Sequence, residues 1–144
     1  MKLIVCLDDR GGLSFNDRRQ SRDRALIADL LCTVQGEPLY LTPYSLPLFE
    51  DYPDAAKQLR VTDTPLASVP HGAYCFWELS VPPTDGRVSE WIVYRWNRHY
   101  PADRTLSLPT DGYELVECYD FAGSSHERIT KERHIKRIKE YTDR

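Results

Sequence analysis

The sequence has no apolar run long enough to cross a bilayer. The longest reading, Leu3 to Leu7, is a short strand's worth of residues, far below the length a spanning helix needs. No charged-then-apolar leader precedes it, so neither membrane insertion nor secretion is expected. Cysteine is sparse. Cys6, Cys32, Cys75 and Cys118 are widely spaced and form no Cys-x-x-Cys, which speaks against a disulfide framework or a thiolate metal site and for a reduced cytoplasm. His71, His99, His126 and His134 share no ligand spacing, so no metal is expected. Internal repeats, low-complexity tracts and composition breaks are also missing. A chain of 144 residues, 41% apolar and 28% charged, therefore reads as one domain over 1–144 with a core of its own.

Charge is unevenly placed. Residues 16–24 hold four arginines against two aspartates, and residues 126–144 hold seven Lys/Arg against four acids, while the net charge is −3. Two basic segments thus sit on an acidic body, where they either meet an anionic ligand or neutralise the rest of the protein.

The first basic segment follows a buried-strand pattern, Leu3 to Leu7, and the flexible pair Gly11-Gly12. Asn16-Asp-Arg-Arg-Gln-Ser-Arg-Asp23 is too dense in guanidinium for a simple turn. After it, Leu26, Ile27, Leu30, Leu31 and Val34 recur at helical spacing. Ser21 is the expected cap, Asp23 complements the dipole and Gly36 is the stop. Leu39 to Thr42 reads as a strand. Prolines at 43, 47 and 53 restrict 44–58 to short helical turns. Strands are expected at Leu59 to Thr62, Ala73 to Trp77, Trp91 to Trp96, Arg104 to Leu108 and Tyr113 to Phe121, with Pro82-Pro83-Thr-Asp-Gly86 as a loop. Ser124-Ser-His-Glu127 has the spacing of a capping box, and Ile129, Ile135, Ile138 and Tyr141 form a partial stripe, which predicts a C-terminal helix. The fold class expected is α/β, a mixed, mostly parallel sheet with flanking helices.

In its order of elements the chain resembles the dihydrofolate reductases. Leu3–Leu7, Gly11-Gly12-Leu13, Asn16 or Asp17, and Asp23 ahead of the helix occupy stations comparable to that family's first strand, glycine loop and carboxylate-opened helix. Glu37 to Leu41 resembles its second strand, and Gly72 to Phe76 with Trp91–Trp96 its central pair. The departures fall on the cofactor. That family needs Gly-Gly after the central strand so that backbone can meet phosphate, and here Trp77-Glu78-Leu79 stands there. Thr42-Pro43-Tyr44 replaces its arginine and hydroxyl, and Gln20-Ser21 replaces its Pro-Trp turn. The resemblance implies the architecture without the nicotinamide site, so no cofactor is expected. The chain is also similar to short, uncharacterised bacterial proteins sharing the stretches seen here at Phe15–Asp23, Tyr94–Asp103 and Gly123–Glu127. Some of those carry a ribonuclease Z label, yet the His-x-His-x-Asp-His cluster of that enzyme is absent.

Three constellations follow. In the first, Asp8, Asp9, Asn16, Arg18, Arg19, Gln20, Ser21 and Arg22 are candidate ligand-binding residues, because arginine forks and a helix N-terminus suit phosphate or carboxylate. The other reading pairs Arg18, Arg19 and Arg22 with Asp8, Asp9 and Asp23 to pin the loop. In the second, Arg95, Asn97 and Arg98 lie among aromatics that would stack on a ring, or simply end a strand. In the third, His126 and Glu127, with Asp23, are candidate acid–base residues, or His126 only belongs to a cap. The function expected is binding of a small molecule or nucleotide whose anionic group is held by the arginine loop. The alternative is an RNA-binding or ribonuclease-type protein using that loop, His126 and a basic C-terminal helix. A partner-binding module using that helix is the third class.

Overall fold

The computed structural model describes residues 1–109 and 111–137. Its centre is β1 (Lys2–Leu7), whose side chains are buried on both faces: Leu3, Val5 and Leu7 on one, Ile4 on the other. Strands buried on both sides read as continuous apolar runs because neither face meets water. After β1 come β2 (Gly12–Phe15), β3 (Arg18–Arg19), α1 (Arg24–Val34), β4 (Leu39–Leu41), two 3₁₀ turns (Leu46–Phe49 and Pro53–Gln58), β5 (Leu59–Val61), the one-turn α2 (Pro65–Ser68) and β6 (Tyr74–Phe76). The chain then forms β7 (Glu90–Arg95), β8 (Arg104–Thr105), β9 (Tyr113–Phe121) and β10 (Ile129–Lys136).

Seven strands form one sheet in the order β5-β4-β6-β1-β7-β10-β9. The pairs from β5 to β7 are parallel, and β10 is antiparallel to both β7 and β9. β3, β2 and β8 make a small second sheet. The mixed, mostly parallel α/β reading is therefore the observed one. α1 lays Leu26, Ile27, Leu30 and Val34 on the face carrying Ile4, Ile92 and Tyr94. Trp77, Trp91 and Leu106 fill the opposite face.

Two local expectations need correction. The C-terminal helix is absent from the described residues: Ile129–Lys136 is strand β10, paired residue for residue with β7 from Thr130↔Arg95 to Ile135↔Glu90. The edge of β7 needs a hydrogen-bonding partner, and an isolated charged helix with a partial stripe cannot supply one; tertiary pairing overrides the local preference. The stripe residues Ile138 and Tyr141 lie outside the described residues. The second correction concerns α1, which is capped by Asp23 rather than Ser21: its Oδ1 accepts from the amides of Ala25 at 2.9 Å and Leu26 at 3.2 Å. At its other end, Gln35 and Gly36 turn left-handed, with φ of 52° and 78°, as a helix stop requires. No described helix is long and apolar enough to cross a membrane.

Candidate functional site

Three segments far apart in sequence meet at the N-terminus of α1. Asp23 sits there with its side chain wholly buried, and His126 packs against it with a side chain 3% exposed. The carboxylate is saturated. Oδ1 accepts from the amides of Ala25, Leu26 and Ser124 and from the Ser124 hydroxyl. Oδ2 accepts from the Ser125 amide at 2.8 Å, the Ser125 hydroxyl at 3.2 Å and His126 Nδ1 at 2.9 Å. Burial works against the charged form, but the amides of Ser124 and Ser125, the His126 ring and the Leu26 amide outweigh it. Together they hold Asp23 well below the usual carboxylate range.

An ionised carboxylate only accepts, so Nδ1 carries a ring proton, and in the neutral imidazole Nε2 then holds the lone pair. Two hydroxyls meet that nitrogen: Ser21 Oγ at 3.0 Å and Tyr100 Oη at 2.9 Å. Trp96 stacks on the imidazole, ring centres 4.5 Å apart and 26° from parallel. His126 is thus fixed on its face, on its carboxylate side and on its hydroxyl side.

Asp8 organises the loop that brings both hydroxyls in. It is 1% exposed. Its Oδ1 accepts from the amides of Arg10 and Gly12, and Oδ2 from Gln20 Nε2 at 3.0 Å and the Tyr100 amide at 3.1 Å. Burial opposes ionisation here too, and the Gly12, Arg10 and Tyr100 amides with Gln20 overcome it, lowering the Asp8 pKa. One carboxylate therefore anchors both the neighbour of Ser21 and the backbone of Tyr100. Gly12 has to be glycine, because a Cβ there would run into the side chains of Gln20 and Asp8.

The remaining candidates are dispersed. Arg19 makes a two-pronged bond to Glu78, Nε and Nη2 each 3.0 Å from a carboxylate oxygen, and also donates to the Tyr44 carbonyl. Asn16 and Asp17, with φ of 52° and 61°, are the left-handed pair of the β2–β3 hairpin. Arg95 pairs with Glu132 at 3.2 Å, and Asn97 donates to the Arg128 carbonyl and the Thr130 hydroxyl. Asp9, Arg18 and Arg22 are exposed. Arg98 and Glu127, also exposed, line a separate depression with Asn97 and Arg128. Glu127 makes no contact with His126 among the described hydrogen bonds. The aspartate–arginine pinning of the loop does not occur among the described ion pairs; Asp8 and Asp23 bind amides instead.

Tyr100 and Trp96 are site residues that sequence reading left out. Both belong to the aromatic stretch Tyr94–Asp103, but nothing in its spacing indicates that it meets residue 126. Among the described residues, no group of three His, Cys, Asp or Glu side chains is gathered as a metal site would need.

Two cavities adjoin the cluster and share Arg22, Asp23, Ile27 and Leu48 in their walls. The inner one, about 20 Å³, is lined by Ser21, Cys6, Phe76 and Trp96 among others and has room for about one water-sized group. The outer one is an open cleft of about 670 Å³, bounded by Arg22, Arg24, Asp51, Tyr52, Ser124 and Ser125, a size typical of small-molecule sites.

This arrangement sits on a known architecture. A solved dihydrofolate reductase from Enterococcus faecalis, complexed with NADP(H) and RAB-propyl, superposes with a TM-score of 0.67 over 95% of this chain and 96% of that one. The chain has the dihydrofolate reductase fold. Sequence identity to that enzyme is 9%, so the likeness is one of fold. No protein-family model and no curated protein matches the sequence.

The nicotinamide group that this fold implies can be tested against the residues after β6. They do not fit it. Trp77 is 1% exposed in the core, and the Glu78 carboxylate is fixed by Arg19 and by the Ser45 hydroxyl at 2.6 Å. An anion approaching this turn meets a carboxylate where the family has bare backbone.

Proposed function

We propose that the protein binds a small anionic molecule, of nucleotide or carboxylate type, in the cleft beside the N-terminus of α1. The carrying observation is that Arg22 and Arg24 stand exposed on the cleft wall with no ion pair among the described residues, while the nearby Arg19 is committed to Glu78 and the Tyr44 carbonyl. Ser124, Ser125 and Tyr52 border the same space, and Ile27 with Leu48 adds apolar wall. That mixture suits a ligand with one charged end and a compact body. The like-folded reductase, itself complexed with small molecules, supports the reading at the level of scaffold only.

The RNA reading has less behind it. It draws on the arginine loop, His126 and a basic C-terminal helix, and in the place of that helix β10 commits Lys131 to Asp29 at 3.1 Å and Arg133 to Glu90 at 2.8 Å.

The test is a titration with AMP, succinate and inorganic phosphate, followed by the fluorescence of Trp96 and its fellow tryptophans. Saturable binding should be weakened roughly 10- to 100-fold in Arg22→Ala/Arg24→Ala, the loss of one charge-assisted hydrogen bond of about 1.5–3 kcal/mol. No saturation by any of the three at millimolar concentration, or equal affinity in the double variant, would show the cleft assignment to be wrong. A short oligoribonucleotide run alongside at two salt concentrations decides the RNA question, since phosphate-dominated binding weakens steeply with salt.

A further inference from the structure

We propose that Ser21 is a nucleophile activated by His126 and Asp23, and that the protein transfers or hydrolyses small acyl groups. The inference rests on the cleft as the binding site and adds the chemistry performed there. Its starting point is a hydrogen-bonded line: Ser21 Oγ to His126 Nε2 at 3.0 Å, and His126 Nδ1 to Asp23 Oδ2 at 2.9 Å. A hydroxyl becomes a nucleophile when a base takes its proton as it attacks, and the base works best when a third group fixes its tautomer. Here the buried, amide-saturated Asp23 fixes the proton on Nδ1, and the Trp96 stack fixes the ring.

Of the two hydroxyls on Nε2, only Ser21 lines the inner cavity; Tyr100 does not. Ser21 is therefore the hydroxyl on the cavity side, and Tyr100, the other partner of Nε2, has to leave that nitrogen's single lone pair to Ser21 as the proton moves. Cys6 lines the same cavity, but burial, then the charge of Glu78, pushes its thiol far above the ordinary range, so it is no rival nucleophile. The backbone amides of Ser21, Arg22 and Asp23 make no hydrogen bond to any described residue. Among the described residues, those amides and the Arg22 guanidinium are the unpaired donors nearest Ser21 along the chain, available to the oxyanion that forms on attack.

The step balances without a cofactor. Ser21 Oγ adds to the acyl carbonyl as its proton passes to His126 Nε2. The bond to the leaving alcohol breaks, and that oxygen takes the proton from His126. Water, deprotonated by the same nitrogen, then cleaves the acyl-serine and returns the proton to Ser21. An inner space of about 20 Å³ takes only about one water-sized group, such as an acetyl methyl, and no longer acyl chain, while the carbonyl and the anionic remainder lie toward the cleft outside.

The experiment has two arms on the intact protein. Methanesulfonyl fluoride, whose S–F bond is replaced by an O–S bond with release of fluoride, should modify Ser21 in the native protein and not in urea, as read by peptide mass spectrometry. p-Nitrophenyl acetate should give a burst of nitrophenol and an acetylated Ser21, with p-nitrophenyl hexanoate at least tenfold slower. Ser21→Ala should abolish both signals, and His126→Gln, folded by circular dichroism, should lower them at least 100-fold. If His126→Gln does not fold, the native-versus-urea contrast and Ser21→Ala still decide. An unmodified Ser21, modification that persists in urea, or acetate turnover surviving in Ser21→Ala overturns the proposal. If AMP or succinate still binds in an Arg22-dependent way, only the nucleophile is lost; if neither binds, the cleft reading falls with it.

Discussion

A methyl group on residue 123 would lie 2.5 Å from Asp23 Oδ2 and 2.8 Å from the His126 carbonyl. Gly123 is therefore the point where the last loop presses against the carboxylate that caps α1. Its neighbours are buried and cannot yield cheaply, so Gly123→Ala should cost about 1–3 kcal/mol by overpacking and should separate His126 from Asp23. Urea denaturation measures the first effect. Methanesulfonyl fluoride labelling of Ser21 reports the second. A variant as stable as the parent would mean that the loop has slack the structure does not show.

Acid should weaken the fold through this site. The folded pKa of Asp23 is depressed below its unfolded value, burial notwithstanding, by the Ser124 and Ser125 amides and the His126 ring. Its contribution to stability is then complete above about pH 4–5 and falls away as the pH drops from the unfolded value near 3.9 toward the folded one. Asp8 has the same sign. Asp23→Asn should lower stability at pH 7 and flatten the acid limb of the urea midpoint against pH. An unchanged acid limb would mean that Asp23 is not ionised in the folded protein.

Arg19 and Arg18 should part company. Arg19 and Glu78 have side chains 19% and 13% exposed, and removing the fork leaves Glu78 and the Tyr44 carbonyl without their donor. Arg19→Ala should cost about 1.5–3 kcal/mol, whereas the exposed Arg18 should change stability by no more than about 0.5 kcal/mol on truncation. Differential scanning calorimetry of the two variants makes the comparison. Equal melting temperatures would return Arg19 to the list of ligand donors.

NADPH should not bind tightly, because Glu78 and buried Trp77 occupy the turn after β6. Titration against tryptophan fluorescence should show no saturation in the micromolar range. Removing the carboxylate alone, as in Glu78→Gly, should not restore binding while Trp77 fills the core. Saturable micromolar binding by the unaltered protein would contradict this account.

Much of the fold was legible because its strands bury both faces. Leu3–Leu7 and Trp91–Trp96 announce themselves by apolar content alone, and prolines 43, 47 and 53 do restrict their stretch to short turns. The C-terminal strand was not legible, since β10 carries charges that find partners on other elements: Lys131 with Asp29, Arg133 with Glu90 and Glu132 with Arg95. Ser124 shows how a local signal can be right in kind and wrong in target. Its hydroxyl does cap a helix amide, accepting from Arg24 N at 2.9 Å, but the helix begins a hundred residues earlier. For the site, Asp23, His126 and Ser21 could each be picked out as reactive types, yet their meeting depends on long-range contacts no spacing rule encodes. The pairing of Arg19 was hidden for a similar reason: its partner Glu78 is remote in sequence.

The late position of residues 123–136 also bears on how the molecule is made. As the chain leaves the ribosome, β1, α1 and β6 emerge first, but β1 cannot pair on its other side until β7 arrives, and β7 waits in turn for β10. Until then Asp23 is a carboxylate at a helix end without the amides of Ser124 and Ser125 or the ring of His126. The nascent chain thus carries an incomplete sheet edge until β10 is made, a condition that favours association with other chains. Folding and assembly of the site are completed by the same short segment, so a molecule that has closed its sheet has also placed His126 on Ser21.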